Sequence, residues 1–570
     1  MHHAGGSPKI DLPSRAAASN KMMESLARRS LDGERFEVVV IGGGINGVAI
    51  ARECARGGKR TLLLEQNDFA AGTTSRSTRI IHGGLRYLEY GELGLVRECL
   101  RERQRLLRDY CHLVRPLKFL LAVRGNGRHS AMAVRAGLWV YGAMGGGRSN
   151  TRQNGARQLE ALLDSGHDWA VFDYDDAQCE FPERLVAEWL TEGLSAGVVT
   201  RNHTRVLRVL LRFGQVCGVI AQDLRTGDES RIEAEWIVNA TGPWADQVCT
   251  ESSIATEAPL VGGLRGSHLV LTRFLGAPDA AVYSEAADGR PFFVVPWNGQ
   301  LLVGTTEVRD QEDPGRTEPS AREIEYLFAS LTALFPAARI SWGDVQYAFA
   351  GVRPLPYAPQ EAPSAVTRRH LLHDHSDNGA AGMISVIGGK LTTAASLARE
   401  CVRRIGARVE EPSAMLLGQG PCSDDIGAAL VQWSRQIAAT AHISEQSARA
   451  IAEWHGRRAM AVARLAASDE RLRAPLCLHS HHLVAEAVEA VQHELAATLG
   501  DILLRRVPVA LSACWTEACS REAATRIGTA LGWDEIRRGG ELDAFECERA
   551  QFLHKVAAPV VSWAGREGAG

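Results

Sequence analysis

A Gly-rich turn between an apolar strand and a helix carries the first residues whose spacing points to chemistry. Residues 36–41 (FEVVVI) form a short β-branched run, the turn GGGING follows at 42–47, and a helical pattern comes next. In such a unit Gly42 allows the tight turn, Gly44 lets the backbone approach a pyrophosphate, and Gly47 lets helix and strand pack closely. The helix N-terminus then presents free N–H groups and a positive dipole end to the phosphates.

An acidic residue completes this pattern. Residues 60–64 (RTLLL) predict a second strand that ends at Glu65. A carboxylate in this position can accept hydrogen bonds from a ribose hydroxyl. A Gly-rich turn without a ligand is the alternative interpretation of the glycine spacing alone. Strand, helix, second strand and acid together favour a dinucleotide site.

Two later turns favour FAD over NAD as the dinucleotide. Residues 236–242 (WIVNATG) predict a strand that ends in an Ala-Thr-Gly turn, a turn that resembles one in flavoproteins with two dinucleotide-binding domains. Residues 383–393 (MISVIGGKLTT) again deliver a glycine pair to the start of a helix. Such a helix N-terminus stabilises the negative charge that builds up on a reduced flavin. We therefore expect one FAD domain that is assembled from distant segments.

The segment TTSRSTRIIHGGLRYL at 73–88 identifies a family. It closely resembles the hydroxyl-rich loop and the His-Gly-Gly segment of FAD-dependent glycerol-3-phosphate dehydrogenases, which are aerobic respiratory enzymes among the D-amino-acid-oxidase-like flavoproteins. The resemblance extends from about residue 36 to 405 and includes NATGPW (239–244), GSH (266–268), VPW (295–297), GTT (304–306), GVRPL (351–355), VTR (366–368) and GGKLTT (388–393).

This resemblance implies oxidation of sn-glycerol 3-phosphate to dihydroxyacetone phosphate, with hydride passing from C2 to flavin N5. The residues that it places on the substrate are Arg86, Tyr87, Thr305, Arg368 and Lys390, with His268 and Arg353 as the catalytic pair. The residues that it places on FAD are Gly42, Gly44, Asn46, Gly47, Glu65, Thr73, Thr74, Ser75, Ser77, His82, Gly84, Thr241, Gly242, Gly389, Lys390, Leu391 and Thr392. No metal site is expected.

The residue chemistry agrees with a phosphorylated substrate. Arg86, Arg353, Arg368 and Lys390 all lie in motif segments, and the planar guanidinium group binds phosphate through paired hydrogen bonds. Any one of these arginines taken alone is as well explained by a surface or ion-pairing role. Four cations in four motifs favour an anion pocket.

Oxidation of an alcohol to a ketone also needs a group that removes the hydroxyl proton. His268 is the best general base, because an imidazole titrates near working pH. Arg353 is the competing explanation, since a guanidinium beside the developing alkoxide lowers the pKa of the hydroxyl. His82 lies in the Gly-Gly segment and is expected to orient the isoalloxazine ring.

Several positions depart from the family pattern. The family's Gly-Thr-Thr-Asp ends in Glu307 here, its Ser-Lys before His-Gly-Gly reads Thr78-Arg79, and its Lys-Gly-Ser-His begins with Arg265. The acidic stretch 173–184 corresponds only loosely to the family. None of these changes removes a cation or the proposed base.

The elements that position these residues predict an α/β chain with a second, largely helical part. We expect a Rossmann-like FAD domain, mainly 36–115, 170–260 and 350–410, interleaved with a mixed or antiparallel β-sheet substrate domain, mainly 116–169 and 261–349. A flexible leader at 1–35, for which a transit peptide is the alternative, and a C-terminal helical domain at 411–570 complete the chain. The helices of that domain are predicted at 425–441, 443–467, 483–498 and 520–531.

Composition excludes several classes of protein. The 570 residues carry 64 Lys plus Arg against 67 Asp plus Glu, so no global basic field exists to hold nucleic acid. The 12 cysteines contain no C-x-x-C pair, which argues against structural zinc and a disulfide framework and favours reduced thiols in the cytoplasm. Cys514 and Cys519 are interpreted as buried thiols. No apolar run approaches the ~18 residues of a spanning helix.

The electron acceptor is expected to be a quinone at the inner face of the cell membrane, which the resemblance implies. Residues 115–124 and 129–148 combine arginines with Leu, Phe, Met and Trp, a pattern that suits a bilayer interface. A buried helix with solvated arginines is the alternative. A related oxidase that gives electrons to oxygen and releases hydrogen peroxide stays open, as does an inactive FAD-bound scaffold. A homodimer is a further possibility.

Overall fold

The computed structural model describes residues 30–125, 130–145, 159–310, 312–363, 365–409 and 426–556. Most of the predicted leader lies outside these residues, as do parts of the predicted interface segment, including Arg128, His129 and Arg148.

Seventeen strands are described. They are β1 (Arg35–Ile41), β2 (Thr61–Leu64), β3 (Ile80–Ile81), β4 (Val114–Arg124), β5 (Trp169–Cys179), β6 (Val199–Arg201), β7 (Thr204–Arg212), β8 (Gln215–Asp223), β9 (Glu229–Asn239), β10 (Leu264–Thr272), β11 (Ala281–Glu285), β12 (Pro291–Trp297), β13 (Gln300–Gly304), β14 (Val308–Arg309), β15 (Val345–Arg353), β16 (Leu371–Asp374) and β17 (Met383–Ile387).

Thirteen α-helices are described. They are α1 (Ile45–Arg56), α2 (Leu93–Asp109), α3 (Ala131–Gly145), α4 (Pro182–Ser195), α5 (Ala245–Glu251), α6 (Ala321–Leu334), α7 (Ala394–Arg404), α8 (Ile426–Ala441), α9 (Glu445–His455), α10 (Ala459–Ser468), α11 (Val484–His493), α12 (Glu517–Leu531) and α13 (Glu535–Phe552).

The first sheet is built around parallel strands from distant parts of the chain. Its order is β16-β17-β9-β1-β2-β6, with β8 on β9 and β7 on β8. The pairs β1–β2, β1–β9, β9–β17 and β2–β6 are parallel. Their apolar side chains are buried because helices α1, α4 and α7 cover one face of the sheet. The predicted assembly of this domain from distant segments therefore matches the strand order.

The second sheet is largely antiparallel, as a substrate-side sheet was expected to be. Its order is β14-β10-β13-β12-β11-β4-β5-β3, with β15 on β10, and β4–β11 is its parallel pair. Strand β5 belongs to this sheet, although 170–260 was predicted as part of the FAD domain.

The interface interpretation of residues 115–124 is wrong. They form most of β4, which is hydrogen-bonded to β5 on one side and β11 on the other. Phe119 and Leu120 are each 1% exposed, so their apolar side chains are in the core and unavailable to a bilayer. The mixed apolar and basic pattern came from a buried strand whose arginines lie near its two ends.

The C-terminal region is helical, as predicted, with two differences. The predicted helix 443–467 is two helices, α9 and α10, separated by a short turn at Gly456–Arg458. Helix α13 was not predicted, because it buries only Phe545 and Phe552 and so lacks a continuous apolar stripe. No helix within the described ranges is long and apolar enough to cross a membrane.

Candidate active site

A cavity of about 420 Å³ lies between the two sheets. The carboxyl ends of the parallel strands β1, β2 and β9 open into it, through Ile41, Leu64 and Ala240. Residues of β10, β12 and β15 in the second sheet line the other side. Ligands of open α/β sheets bind beyond the carboxyl ends of the strands, and the cavity occupies that position.

The three motif glycines of the first turn have different neighbours. Gly42 has φ +103°, and a Cβ there would lie 2.6 Å from the carbonyl oxygen of Ala240. A Cβ on Gly47 would lie 1.8 Å from the carbonyl oxygen of Gly42. A Cβ on Gly44 would instead meet only Oγ1 of Thr74, at 3.4 Å. Gly44 itself borders the cavity. Gly42 and Gly47 are thus required by packing, whereas Gly44 leaves space beside the start of α1.

The N-terminus of α1 fits the phosphates of a dinucleotide. Gly44 precedes the helix and provides no side-chain cap, and the backbone N–H of Ile45 donates to Oγ1 of Thr74 over 3.1 Å. Nδ2 of Asn46 donates to the carbonyl oxygen of Gly388 over 3.3 Å and so ties the first Gly turn to the third. Oδ1 of Asn46 is buried and has no partner among the described residues, which leaves one acceptor for a donor on a ligand.

Glu65 also borders the cavity, beside the first turn. Its carboxylate accepts hydrogen bonds from the backbone N–H groups of Gly43 (2.6 Å) and Asn67 (2.8 Å). Burial raises the pKa of Glu65, although the two N–H donors oppose that shift. Each carboxylate oxygen keeps a second lone pair, so the group can still accept from a ribose hydroxyl. Together with the free space at Gly44, this donor and acceptor set fits FAD.

Most of the predicted FAD residues line this cavity. The lining residues are Gly42, Gly44, Asn46, Glu65, Thr73, Thr74, Ser77, His82, Gly84, Thr241, Gly242, Gly389, Lys390 and Leu391. The other three predicted FAD residues, Gly47, Ser75 and Thr392, do not line the cavity. Ser75 donates to the carbonyl oxygen of Gly72 over 3.2 Å, and Oγ1 of Thr392 accepts from the backbone N–H of His82 over 3.3 Å. These three support the wall of the cavity.

Arg353 lies at the end of β15 and borders the same cavity. Its Nη2 donates to Oγ1 of Thr305 over 2.8 Å and its Nη1 donates to the carbonyl oxygen of Thr306 over 3.3 Å. Among the described residues it has no carboxylate partner within ion-pair distance. Burial, assisted by the nearby charge of Arg368, lowers the pKa of Arg353 to about 10.

Arg368 and Glu307 form an ion pair on the cavity wall. Nη2 of Arg368 donates to Oε1 of Glu307 over 2.5 Å, and each side chain is 15% exposed. Nη1 of Arg368 is buried and unpartnered among the described residues. The departure from the family at Glu307 therefore places the longer carboxylate directly on a predicted substrate cation.

The other two predicted cations also border the cavity. Nζ of Lys390 lies 3.8 Å from the centre of the Tyr87 ring, and Nη2 of Arg86 donates to the hydroxyl of Tyr90 over 3.3 Å. Tyr87 itself does not line the cavity, so its contact with Lys390 is its connection to the site. All four cations expected from the sequence thus come together.

His268 is buried in the middle of β10. Its Nε2 lies 2.9 Å from Oγ1 of Thr78, its ring stacks on Phe349 at 4.9 Å, and Nδ1 has no partner among the described residues. Burial, together with the charges of Arg353 and Arg79, lowers the pKa of His268 to about 3. The imidazole is therefore neutral at pH 7, and the same burial and positive charges oppose its uptake of a proton. The expected reason for its choice, titration near working pH, does not hold in this environment.

His82 borders the cavity, as does Gly84 of the same segment. Burial, with the charges of Lys390 and Arg103, lowers the pKa of His82 to about 4. A neutral ring at this position can contact a flat ligand without adding charge, and the orienting role expected of His82 stays a prediction.

Several lining residues were not predicted, and three of them come from one part of the second sheet. Arg290, Tyr283 and Phe293 come from β11, β12 and the turn between them. Arg290 and Tyr283 lie outside the family motifs, and Phe293 lies two residues before the VPW motif, so the pairing of the second sheet is what brings them to the site. Thr78 was noted as a family departure, and its position in a hydroxyl-rich loop was the signal that could have predicted its contact with His268.

Comparison with known proteins gives consistent matches over nearly the whole chain. Residues 37–395 match the family of FAD-dependent oxidoreductases, and residues 424–538 match the C-terminal domain of alpha-glycerophosphate oxidase. A glycerol-3-phosphate dehydrogenase of Synechocystis is 36% identical over 499 residues, which cover 84% of this chain and 89% of the relative. The aerobic glycerol-3-phosphate dehydrogenase of Bacillus subtilis is 28% identical over 551 residues, covering 92% and 96%.

A solved structure has the same fold. The glycerol-3-phosphate dehydrogenase of Bacillus halodurans, solved as a complex with FAD, superposes with a TM-score of 0.72 at 24% identity, and the match covers 94% of this chain and 98% of that one. The predicted fold class, a Rossmann-like FAD domain with a mixed sheet and a helical C-terminal part, is confirmed.

Proposed function

The chain belongs to the family of FAD-dependent oxidoreductases, and we propose that it oxidises sn-glycerol 3-phosphate at C2 to dihydroxyacetone phosphate. Relatives that carry the name glycerol-3-phosphate dehydrogenase and match most of this chain support the substrate. The observation that carries the proposal is the meeting of the dinucleotide turns with partly buried guanidinium groups in one cavity.

The phosphate of the substrate is held by Arg353 and Arg368. Arg353 has no carboxylate partner among the described residues, and Nη1 of Arg368 has no partner there. A phosphate dianion supplies the missing acceptors and the missing negative charge, and guanidinium groups bind it through charge-assisted hydrogen bonds. Lys390 and Arg86 add positive charge around the same space.

The C2 hydroxyl then loses its proton to a neutral base. His268 fits this role because its imidazole is neutral and its Nδ1 is unpartnered among the described residues. A tautomer with the proton on Nε2 donates to Oγ1 of Thr78 and leaves Nδ1 as the acceptor. Arg353 assists by stabilising the developing alkoxide, so both candidates from the sequence contribute. When bound, FAD supplies the acceptor for the hydride that leaves C2.

Anaerobic reduction of the bound flavin tests this activity directly. We expect glycerol 3-phosphate to bleach the flavin absorbance in a stopped-flow instrument, and glycerol or inorganic phosphate alone to leave it unchanged. A small panel of phosphorylated alcohols defines the substrate further. Absence of bleaching at saturating glycerol 3-phosphate, in protein with a full complement of FAD, would rule out the assignment.

The electrons are proposed to pass to a quinone. A second function, reaction with oxygen to give hydrogen peroxide, is favoured by one observation, the match of residues 424–538 to a domain of an oxidase. Reoxidation of the reduced protein by a soluble quinone analogue and by air separates the two. Stoichiometric peroxide with slow quinone reduction would replace the dehydrogenase by the oxidase.

Attachment to the inner face of the cell membrane is proposed for helix α3. Its Met132 and Trp139 side chains are 83% and 74% exposed, and Arg135 is exposed on the same helix. Apolar and basic side chains that share an exposed helix suit a bilayer interface. Flotation with anionic vesicles tests this, because Trp139→Ser should reduce the bound fraction and exposed Phe213→Ser, on another element, should not. Equal flotation of all three proteins would contradict attachment through α3.

A further inference from the structure

Three residues with metal-ligating side chains, Cys477, His479 and Cys519, meet in the C-terminal helical region, and Cys514 lies beside them. Cys477 and His479 lie on a loop at 476–482, whose backbone is closed by a hydrogen bond from the N–H of Leu476 to the carbonyl oxygen of His482 (2.8 Å). Cys514 and Cys519 lie just before and just inside helix α12. None of the four is among the residues that line the candidate active site.

The geometry of three of these residues suits a single ion. One ligand atom each from Cys477, His479 and Cys519 lies within 4.8 Å of the other two. Nδ1 of His479 is 3.8 Å from Sγ of Cys519. A tetrahedral zinc site with Zn–S bonds of about 2.3 Å requires ligand atoms about 3.8 Å apart. The observed spacing therefore needs only small side-chain rotations to close around an ion.

A fourth cysteine, Cys514, adjoins the cluster through its backbone. Sγ of Cys519 lies 3.7 Å from the carbonyl oxygen of Cys514. The backbone of Cys514 therefore contacts the cluster, and its thiol is exposed. Cys519 is the third residue of α12, where Oγ1 of Thr516 accepts from its backbone N–H. A helix N-terminus stabilises a thiolate, the form of cysteine that binds metals.

The donor set selects the metal. Three thiols and one imidazole, with no carboxylate among them, form a Cys3His set of the kind that binds zinc in closed structural sites. The sequence did not reveal it, because the ligands are spaced C-x-H and C-x-x-x-x-C and come from two segments without a C-x-x-C pair. Only the packing of loop 476–482 against the start of α12 joins the two halves.

We propose that Cys477, His479 and Cys519, with Cys514 as the fourth ligand, form a structural zinc site. The ion fastens loop 476–482 to helix α12 and so stabilises the C-terminal helical region. This site goes beyond the oxidation of glycerol 3-phosphate and takes no part in it.

The first test is the metal content of the full-length flavoprotein, purified without immobilised metal. We expect about one zinc ion per chain by mass spectrometry, in line with a four-ligand structural site. Metal-free protein titrated with Co²⁺ should develop the ligand-field bands of tetrahedral thiolate coordination, which lie to the red of the oxidised flavin. A chain that carries full FAD but takes up neither zinc nor cobalt would overturn the proposal.

Variants locate the ion. Cys477→Ser and Cys519→Ser should each lose the bound zinc, while Cys547→Ser, which removes an exposed thiol on helix α13, should keep it. FAD content reports whether each variant is folded, and the Co²⁺ spectrum of the unmodified chain does not depend on any variant. Zinc retained in both cluster variants would overturn the site. A Cys477–Cys519 disulfide in the anaerobically purified protein would overturn it as well, because it consumes two ligands.

Discussion

Buried arginines occupy two regions of this molecule, and their partners differ. Where the first sheet meets the C-terminal helices, Arg184 of α4 is fully buried and forms a bidentate ion pair with Glu494, over 2.7 and 2.9 Å. Nearby, Arg506 forms a second such pair with Asp68, over 2.7 and 2.8 Å, and Arg505 reaches the same carboxylate over 2.5 Å. Each of these three arginines meets an opposite charge.

Two arginines of the cavity, Arg353 and Arg368, lack full compensation. Arg353 contacts only neutral oxygens of Thr305 and Thr306 at hydrogen-bond distance within the described chain, and Arg368 has one carboxylate and one unpartnered nitrogen. An unpaired buried charge is costly, so it persists only where a ligand provides the counter-charge. The comparison separates arginines that hold the fold from arginines that are available to an anion.

The largest change in stability is expected when an ion pair between the first sheet and the C-terminal helices is removed. Asp68→Asn leaves Arg506 buried without a carboxylate partner, whereas Arg505 keeps Asp501 and Glu548. We expect the variant to lower the free energy of unfolding by about 3–5 kcal/mol, as for other broken buried pairs. Urea unfolding followed by circular dichroism measures this. The exposed pair Arg316–Asp313 is the control, since Arg316→Ala should leave the unfolding midpoint unchanged. Equal midpoints for both variants would contradict the structural role of Asp68.

Removing a cavity arginine should reduce activity strongly without reducing stability. Arg353→Ala should lower kcat/KM by about 10²- to 10³-fold, through a higher KM and a lower kcat, because a buried charge contact is worth about 2–5 kcal/mol. The melting temperature should stay the same or rise, since the variant removes an uncompensated buried charge. An unchanged KM would remove Arg353 from the substrate site, and a large fall in melting temperature would make it a structural residue.

The same distinction applies to glycines. Gly44→Ala places a methyl group where only Thr74 is near, so the FAD-free protein should keep its stability. The methyl group would occupy space needed by the dinucleotide, and we expect FAD to bind roughly 10-fold or more weakly, in line with about 1–3 kcal/mol for overpacking. Fluorescence titration of FAD measures this. Gly47→Ala, whose Cβ would meet the Gly42 carbonyl, should instead destabilise the fold; identical behaviour of the two would contradict the assignment.

A smaller effect is expected at the ion pair on the cavity wall. Glu307→Gln removes the carboxylate that partly neutralises Arg368, so the KM for a phosphate dianion should fall by a few fold, with a matching fall in the inhibition constant of inorganic phosphate. Glu307→Asp keeps the charge and is the control. A higher KM in Glu307→Gln would mean that the carboxylate positions Arg368 more than it competes with the substrate.

The smallest effect concerns pH. The pKa of His268 is about 3 in the fold against a usual value of 6.5, so the unfolded chain takes up the proton first as the pH falls. The stability that depends on a neutral His268 is therefore present above pH 6.5 and is lost as the pH falls from 6.5 toward 3. The melting temperature of the unmodified protein should fall relative to that of His268→Gln between pH 7 and pH 5. Thr78→Val keeps the imidazole, so its melting temperature should show the same pH dependence as the unmodified protein. If the melting temperatures of the unmodified protein and His268→Gln differ by the same amount at pH 7 and pH 5, His268 is not a buried neutral ring.

Local sequence was sufficient for the dinucleotide half of the molecule. Strand, glycine turn and helix are defined by neighbouring residues, so 36–56 alone predicted β1, the turn and α1. The family, the cofactor and the fold class, all predicted from such motifs, are confirmed by the family match and the superposition. The roles of the individual site residues remain predictions that the variants above test.

Partners distant in the chain decided the rest. Arg79 and Arg353 both lie in motif segments, yet Arg79 is fully buried against Glu183, over 3.0 Å, and Arg353 is left for an anion. The low pKa of His268, the burial of 115–124 and the thiol cluster at Cys477 likewise depend on residues brought together by the fold. The sequence by itself determined which elements form, because backbone periodicity is local. Only the tertiary structure decided which charges are paired, because burial and Coulomb interaction depend on distance in space.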